Sequence, residues 1–163
     1  MIRPNFLSIL RILRQKEVDF IVVGGVSGVL QGAPITTFDL DIVHSRDPEN
    51  IERLIAALEP LGARYRTPGA KEIKPERSHL QSPGHQLLMT RGGPLDLLGT
   101  IGHGHGYDDL IDQTTEMEIG KGLRIRVLKL ETLIEVKEET AGEKDKAALI
   151  ILRRTLQEKT PKS

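Results

Sequence analysis

Three acids and a glycine pair in this chain have the types and spacing to do chemistry. Asp39 and Asp41 stand one residue apart in Thr36-Thr37-Phe38-Asp39-Leu40-Asp41-Ile42-Val43. Along a strand successive side chains alternate faces, so residues i and i+2 share one, ~7 Å apart. Asp39 and Asp41 therefore face one side, and Phe38, Leu40 and Ile42 the other. Two such carboxylates repel each other and weaken a strand. A cation between them removes that penalty, and hard oxygen ligands suit Mg²⁺ or Mn²⁺. A third acid, Asp96, sits in the apolar run Leu95-Asp96-Leu97-Leu98. If that run pairs beside 36–43, three carboxylates converge, enough to hold two ions ~3.5–4 Å apart.

An Asp-x-Asp triplet alone is most often a solvated strand edge. Its surroundings change the reading. Val18 to Val23 is a short, β-branched run, a buried strand that stops at Gly24-Gly25. A glycine turn there opens a helix N-terminus, whose backbone N–H groups favour phosphate oxygens. A phosphate cradle and a cation site at the ends of neighbouring strands make one coherent nucleotide site. One ion would lower the pKa of an attacking hydroxyl, and the other would steady a leaving pyrophosphate.

The elements that must position these residues can be read along the chain. Phe6, Leu7, Ile9, Leu10, Ile12 and Leu13 give residues 5–16 a helical period. Val26 to Gln31 is a short helix closed by Gly32, and Thr36 to Val43 a second strand. Asp47-Pro48-Glu49 starts a helix, with an N-cap candidate, Pro at the first helical position and acid in the first turn; it runs through Leu58 and stops near Pro60 and Gly62. Residues 66–84 read as an irregular excursion long enough to suggest a functional role. His85 to Thr90 and Leu95 to Leu98 flank a turn at Arg91-Gly92-Gly93-Pro94, and Glu116 to Ile119 and Leu123 to Val127 flank Gly120-Lys121-Gly122, two hairpins in all. Two helices, Leu130 to Thr140 and Glu143 to Glu158, close a single domain spanning 1–158, with 159–163 a frayed tail. The fold class is α+β: an α/β sandwich around a mixed sheet, ending in two helices.

The string Val22-Val23-Gly24-Gly25, followed by Thr36-Thr37-Phe38-Asp39-Leu40-Asp41-Ile42, resembles the core of the DNA polymerase β-type nucleotidyltransferase superfamily. It is most similar to the small branch of minimal nucleotidyltransferases and abortive-infection toxin enzymes. Leu133-Ile134-Glu135-Val136-Lys137 and Ala141-Gly142-Glu143-Lys144-Asp145 resemble that branch's closing helices, while 62–90 matches loosely. The resemblance implies metal-ligand and catalytic roles for Asp39, Asp41 and Asp96, with Asp96 the third ligand or the activator of the incoming hydroxyl. It implies phosphate contacts from Gly24 and Gly25, and basic contacts to the triphosphate from Lys137 and Lys144. Many relatives place Ser directly after the first glycine; here Gly25 stands there and Ser27 follows two places on, the nearest hydroxyl for a nucleotide contact. Thr37 is grouped with the nucleotide contacts too, although with Thr36 it chiefly stabilises the strand entry. The activity implied is Mg²⁺- or Mn²⁺-dependent transfer of a nucleoside monophosphate from an NTP to a hydroxyl of RNA, protein or a small molecule.

Composition narrows the partners. The 163 residues hold 23 Lys plus Arg against 23 Asp plus Glu, so no global field draws the chain onto tRNA or anionic membrane. A polyanion contact must come from a local patch. There is no cysteine and hence no disulfide framework or thiolate site. No run approaches 18 apolar residues, which points away from a membrane and toward the cytoplasm. Aromatics at 3% leave no stacking platform for single strands. His103-x-His105 lies in the glycine-rich loop 102–106 without a further ligand at helical spacing, and reads as an exposed loop rather than a metal site. G-x-G-x-x-G and P-loop spacings are absent. The competing class is a degenerate nucleotide-binding or protein-interaction domain, and the resemblance also allows a toxin with an antitoxin partner.

Overall fold

The computed structural model describes residues 5–67, 72–142 and 145–160. Its seven strands form one mixed sheet in the order β3-β4-β5-β2-β1-β7-β6. The two central strands are β1 (Phe20–Val23) and β2 (Leu40–His44), which run antiparallel. β5 (Gly93–Leu98) lies parallel to β2, and β7 (Leu123–Leu128) parallel to β1. The hairpin partners β4 (His85–Thr90) and β6 (Thr114–Ile119), with the two-residue β3 (Arg64–Tyr65), complete the two wings. The expected α+β class with a mixed sheet flanked by helices and two helices at the C-terminal end is what the chain adopts.

Each sheet face buries its own apolar layer. On one face Val22, Leu40, Ile42, Leu95 and Leu97 pack against α1 (Phe6–Gln15) and α3 (Pro48–Leu61), whose Phe6, Ile9, Leu13, Ile51 and Leu54 are almost fully buried. On the other face Ile21, Val23, Val43 and Leu98 meet Leu130, Leu133 and Ile134 of α6 (Leu130–Glu139) and Leu149 and Leu152 of α7 (Lys146–Lys159). This second layer sits over the central strands and carries the carboxylates. Strands flanked on both sides read as continuous apolar runs, as Phe20-Ile21-Val22-Val23 does.

Several boundaries differ from the sequence reading, for local reasons. The second strand starts at Leu40, not Thr36, because Thr37 Oγ1 donates to the Asp39 carbonyl (3.1 Å) and bends the entry. The helix expected from Val26 begins at Gly24 instead: α2 (Gly24–Leu30) absorbs both glycines, the turn being made by Gly24 itself at φ +65°. α3 runs on to Leu61, with Pro60 in its last turn, and stops at Gly62, φ +62°. Asp47 occupies the N-cap position but makes no side-chain cap bond. The excursion after Arg66 contains a short helix, α4 (Arg77–Gln81), and after the glycine loop comes another, α5 (Tyr107–Leu110). Gly93 and Pro94 belong to β5 rather than to the turn. α7 extends to Lys159, while 161–163 and the expected helix start at 143–144 lie outside the described residues.

Candidate nucleotide and metal site

The register of the central strands sets the site. Asp41 on β2 is paired with Val23, the last residue of β1, on one side and with Asp96 of β5 on the other. Cross-strand partners present their side chains on the same face, so the expected meeting of Asp96 with the acid pair is a consequence of the β2–β5 pairing. Asp39 precedes the strand in the bend held by Thr37 and still reaches its neighbours. Asp39, Asp41 and Asp96 each offer a carboxylate oxygen, all lying within 4.8 Å of one another.

This arrangement is electrostatically costly without a cation. Asp41 Oδ1 and Asp96 Oδ1 are buried with no hydrogen-bond partner. Burial, then the charge of Asp96 and a hydrogen bond with it, then Asp39, push the Asp41 carboxyl up from 3.8 to about 8, with Lys137 pulling weakly the other way. At neutral pH the site therefore retains a proton on Asp41 that a divalent cation would displace. The unpartnered Asp41 oxygen, the mutual closeness of the three acids and a purely carboxylate donor set fit Mg²⁺ or Mn²⁺.

Gly24 closes the site from the β1 side. A Cβ at this position would overlap the Asp41 carboxylate, and φ +65° is itself a region that L side chains avoid. Gly25 lies against Thr37, whose Oγ1 would be 3.0 Å from a Cβ there. The N-cap of α2, Val23, offers no side-chain bond to the first N–H groups of the helix, which leaves them for a ligand or water. Ser27 does not face the acids: it is fully buried and its Oγ donates to the Gly24 carbonyl (2.7 Å), bracing the turn.

Of the two lysines, Lys137 on α6 is near enough for its charge to act on Asp41, and its Nζ also lies 3.4 Å from Asp145. Lys144 lies outside the described residues. His103 and His105 converge instead on Glu139 at the end of α6. His105 Nε2 lies 2.9 Å from both Glu139 oxygens, and the His103 backbone N–H donates to one of them at 2.8 Å. The loop thus clamps a helix end rather than gathering ligands.

Sequence reasoning missed three participants. Arg66 Nη1 lies 2.8 Å from Asp96 Oδ1, off the direction of a hydrogen bond, while donating to the Leu88 carbonyl at 2.7 Å. It counters the charge of Asp96 from the start of the excursion. Leu87 of β4, the register partner of Asp96 on its far side, is 46% exposed and leaves an apolar surface beside the acids. Gln31 is buried and ties α2 to the start of α6, donating to the carbonyls of Ser27 (2.9 Å) and Leu128 (2.8 Å) and accepting from the Leu130 N–H (3.0 Å). Its amide holds the Gly24-Gly25 helix and the helix of Lys137 in one frame.

No protein-family model matches the chain, and no curated protein does. Two solved structures share its architecture. TM1012 of Thermotoga maritima, described as a nucleotidyltransferase, superposes with a TM-score of 0.57 at 23% identity, over 98% of this chain and 97% of that one. The lincosamide antibiotic adenylyltransferase LnuA, in its lincomycin-bound structure, gives 0.60 at 16% identity, over 95% and 96%. At these identities the likeness is one of fold.

Proposed function

We propose that this chain is a metal-dependent nucleotidyltransferase that moves a nucleoside monophosphate from an NTP to an acceptor hydroxyl. The observation that carries the reading is the carboxylate triad: three acids from two strands and a bend, within 4.8 Å, with Asp41 Oδ1 buried and unpartnered and Asp96 Oδ1 met only by the Arg66 guanidinium. Without a cation the arrangement weakens the fold at neutral pH, which favours a site built to hold metal. The shared architecture with a described nucleotidyltransferase and an adenylyltransferase supports the same reading.

Asp39, Asp41 and Asp96 would hold Mg²⁺ or Mn²⁺, which supplies charge neutralisation at the phosphates and acidifies the attacking hydroxyl. The remaining work belongs to the chain itself. Gly24 and Gly25, with no Cβ, let the triphosphate approach the backbone N–H groups opening α2, and the Thr37 hydroxyl borders that approach. Lys137 balances negative charge from the α6 side. The acceptor oxygen attacks the α-phosphorus: its P–O bond forms as the bond from that phosphorus to the bridging oxygen breaks, and pyrophosphate leaves. Asp96 takes the hydroxyl proton, and Arg66 holds its carboxylate in place before the acceptor arrives.

Among hydroxyl acceptors a small molecule is favoured. LnuA is an adenylyltransferase seen with lincomycin, and here the exposed Leu87 gives an acceptor's apolar body a seat beside Asp96. No helix among the described residues is long and apolar enough to cross a membrane, in keeping with a cytoplasmic enzyme. The test is pyrophosphate release from each NTP with Mg²⁺ or Mn²⁺, against a panel of small-molecule hydroxyls, tRNA and protein. Release that depends on one acceptor and disappears in Asp39→Ala/Asp41→Ala is the expected result. Equal release from that double variant overturns the proposal.

A further inference from the structure

A second site, independent of the acids, lies at the other end of the sheet. Three arginines line an open cavity of about 390 Å³: Arg11 and Arg14 from α1, and Arg124 from the start of β7, with Gln15 beside them. Among the described residues no carboxylate lines it. Arg11 and Arg14 are three apart on the helix, so they project from one face, and neither has an ion-pair partner among the described residues. Arg11 Nη1 only donates to the Lys121 carbonyl at 3.4 Å. Arg124 has a distant contact, its Nε 3.7 Å from Glu116 Oε1.

The cavity continues into a neighbouring one of about 230 Å³ that shares Arg14 and Arg124 and adds Arg126 and Tyr107. Acids enter only there. Asp19 is engaged by Arg53 at 3.5 Å, and Glu116 is the residue already shared with Arg124. Glu118, the register partner of Arg124, is the remaining acid on the hairpin face. Positive charge is therefore concentrated here on a chain whose formal charges sum to zero. Three like charges around one solvent-filled space repel unless an anion sits among them, and planar guanidinium forks match phosphate oxygens two at a time.

We infer that this arginine cavity binds a phosphate chain, either the backbone of a single-stranded nucleic acid or a free oligophosphate. It is separate from the acid triad. Val23 is level with Asp41, and β7 runs parallel to β1 with Val127 level with Val22, so Arg124 is four residues down and two strands across, roughly 15 Å from Asp41. A ligand held there would not touch the reacting atoms.

The experiment measures binding of inorganic tripolyphosphate and of a ten-residue oligouridylate to the full chain in EDTA, from low to moderate salt. Three phosphate contacts give a slope of log K against log salt of about −2 for a single strand. Arg14→Gln/Arg124→Gln, both at exposed positions, should keep its Tm, weaken binding at least tenfold and cut the slope to about −0.7. Asp39→Asn/Asp41→Asn should bind as the wild type does. Oligouridylate binding more than tenfold tighter than tripolyphosphate identifies a nucleic-acid backbone, and comparable binding a free oligophosphate; both outcomes support the site. No binding of either probe at low salt, or unchanged binding by the arginine variant, overturns it. So does a loss confined to the acid variant, which would place the anion at the triad.

Discussion

Mn²⁺ binding should tighten about a hundredfold between pH 6 and the plateau above pH 8, because the site must release a proton to accept the ion. Without metal the Asp41 carboxyl titrates near pH 8, raised from 3.8 by burial first and by the charge of Asp96 next. A cation binds the ionised form, so its apparent affinity falls about tenfold for each pH unit below that value, or about two decades at pH 6. At pH 7 each binding event releases about 0.9 of a proton on the same reasoning. The folding linkage has a definite sign. A carboxyl with a raised folded-state pKa adds stability that is complete below pH 3.8 and is lost as pH rises through about 8. Tm in EDTA should therefore fall across pH 4 to 8, and saturating Mn²⁺ should reverse the fall at the alkaline end. Isothermal titration at pH 6, 7, 8 and 9, in two buffers of different ionisation enthalpy, reads both affinity and proton release. Asp41→Asn should flatten the Tm profile and abolish the proton release. A Kd that stays constant from pH 6 to 9, with no buffer dependence of the enthalpy, would refute the reasoning.

Other perturbations separate the parts of the site. Gly24→Ala places a methyl against the Asp41 carboxylate at a positive φ; we expect pyrophosphate release to drop at least a hundredfold and folding stability to fall by about 1–2 kcal/mol from the backbone alone. Gln31→Ala removes the side-chain partner of the Leu128 carbonyl and the Leu130 N–H, while the Ser27 carbonyl keeps the backbone N–H of residue 31, costing about 2 kcal/mol in urea unfolding, with KM for NTP rising as the two helices lose their common anchor. Arg66→Gln removes the counter-charge of Asp96 and should alter acceptor KM and kcat more than NTP affinity, which steady-state kinetics with both substrates varied will show. Leu87→Asp should discriminate against apolar acceptors by about tenfold or more in kcat/KM while leaving the Mn²⁺ isotherm unchanged in stoichiometry.

The acids were legible because a strand's two-residue period is a rule of geometry. Asp39 and Asp41 could be grouped on one face by that period, although Asp39 lies in the bend before β2, and Asp96 joins them through the condition the sequence left open, the pairing of β5 beside β2, whose register sets it directly beside Asp41. What the sequence obscured was decided at long range or by single hydrogen bonds. Thr37 shortens its strand through one bond to the Asp39 carbonyl, and Gly24 serves as the first residue of a helix rather than a free turn because it must clear Asp41. Arg66 belongs to a stretch without periodicity, and its partner is 30 positions away. Gln31 acts on residues almost 100 positions further along, where no spacing rule reaches. Ser27, the nearest hydroxyl to the glycine pair in sequence, is turned onto the Gly24 carbonyl. Proximity in sequence marked the right loop but not the direction of the side chain.

The central claim is that the three carboxylates meet over two divalent ions when a nucleotide is bound. Electron paramagnetic resonance counting of bound Mn²⁺ at pH 8, with a non-hydrolysable NTP analogue, tests it directly. The account requires two ions per chain in the wild type, with spin coupling from their close approach, and fewer than one in Asp39→Asn/Asp41→Asn. A wild-type count no higher than that of the free analogue, or an undiminished count in the double variant, would contradict it.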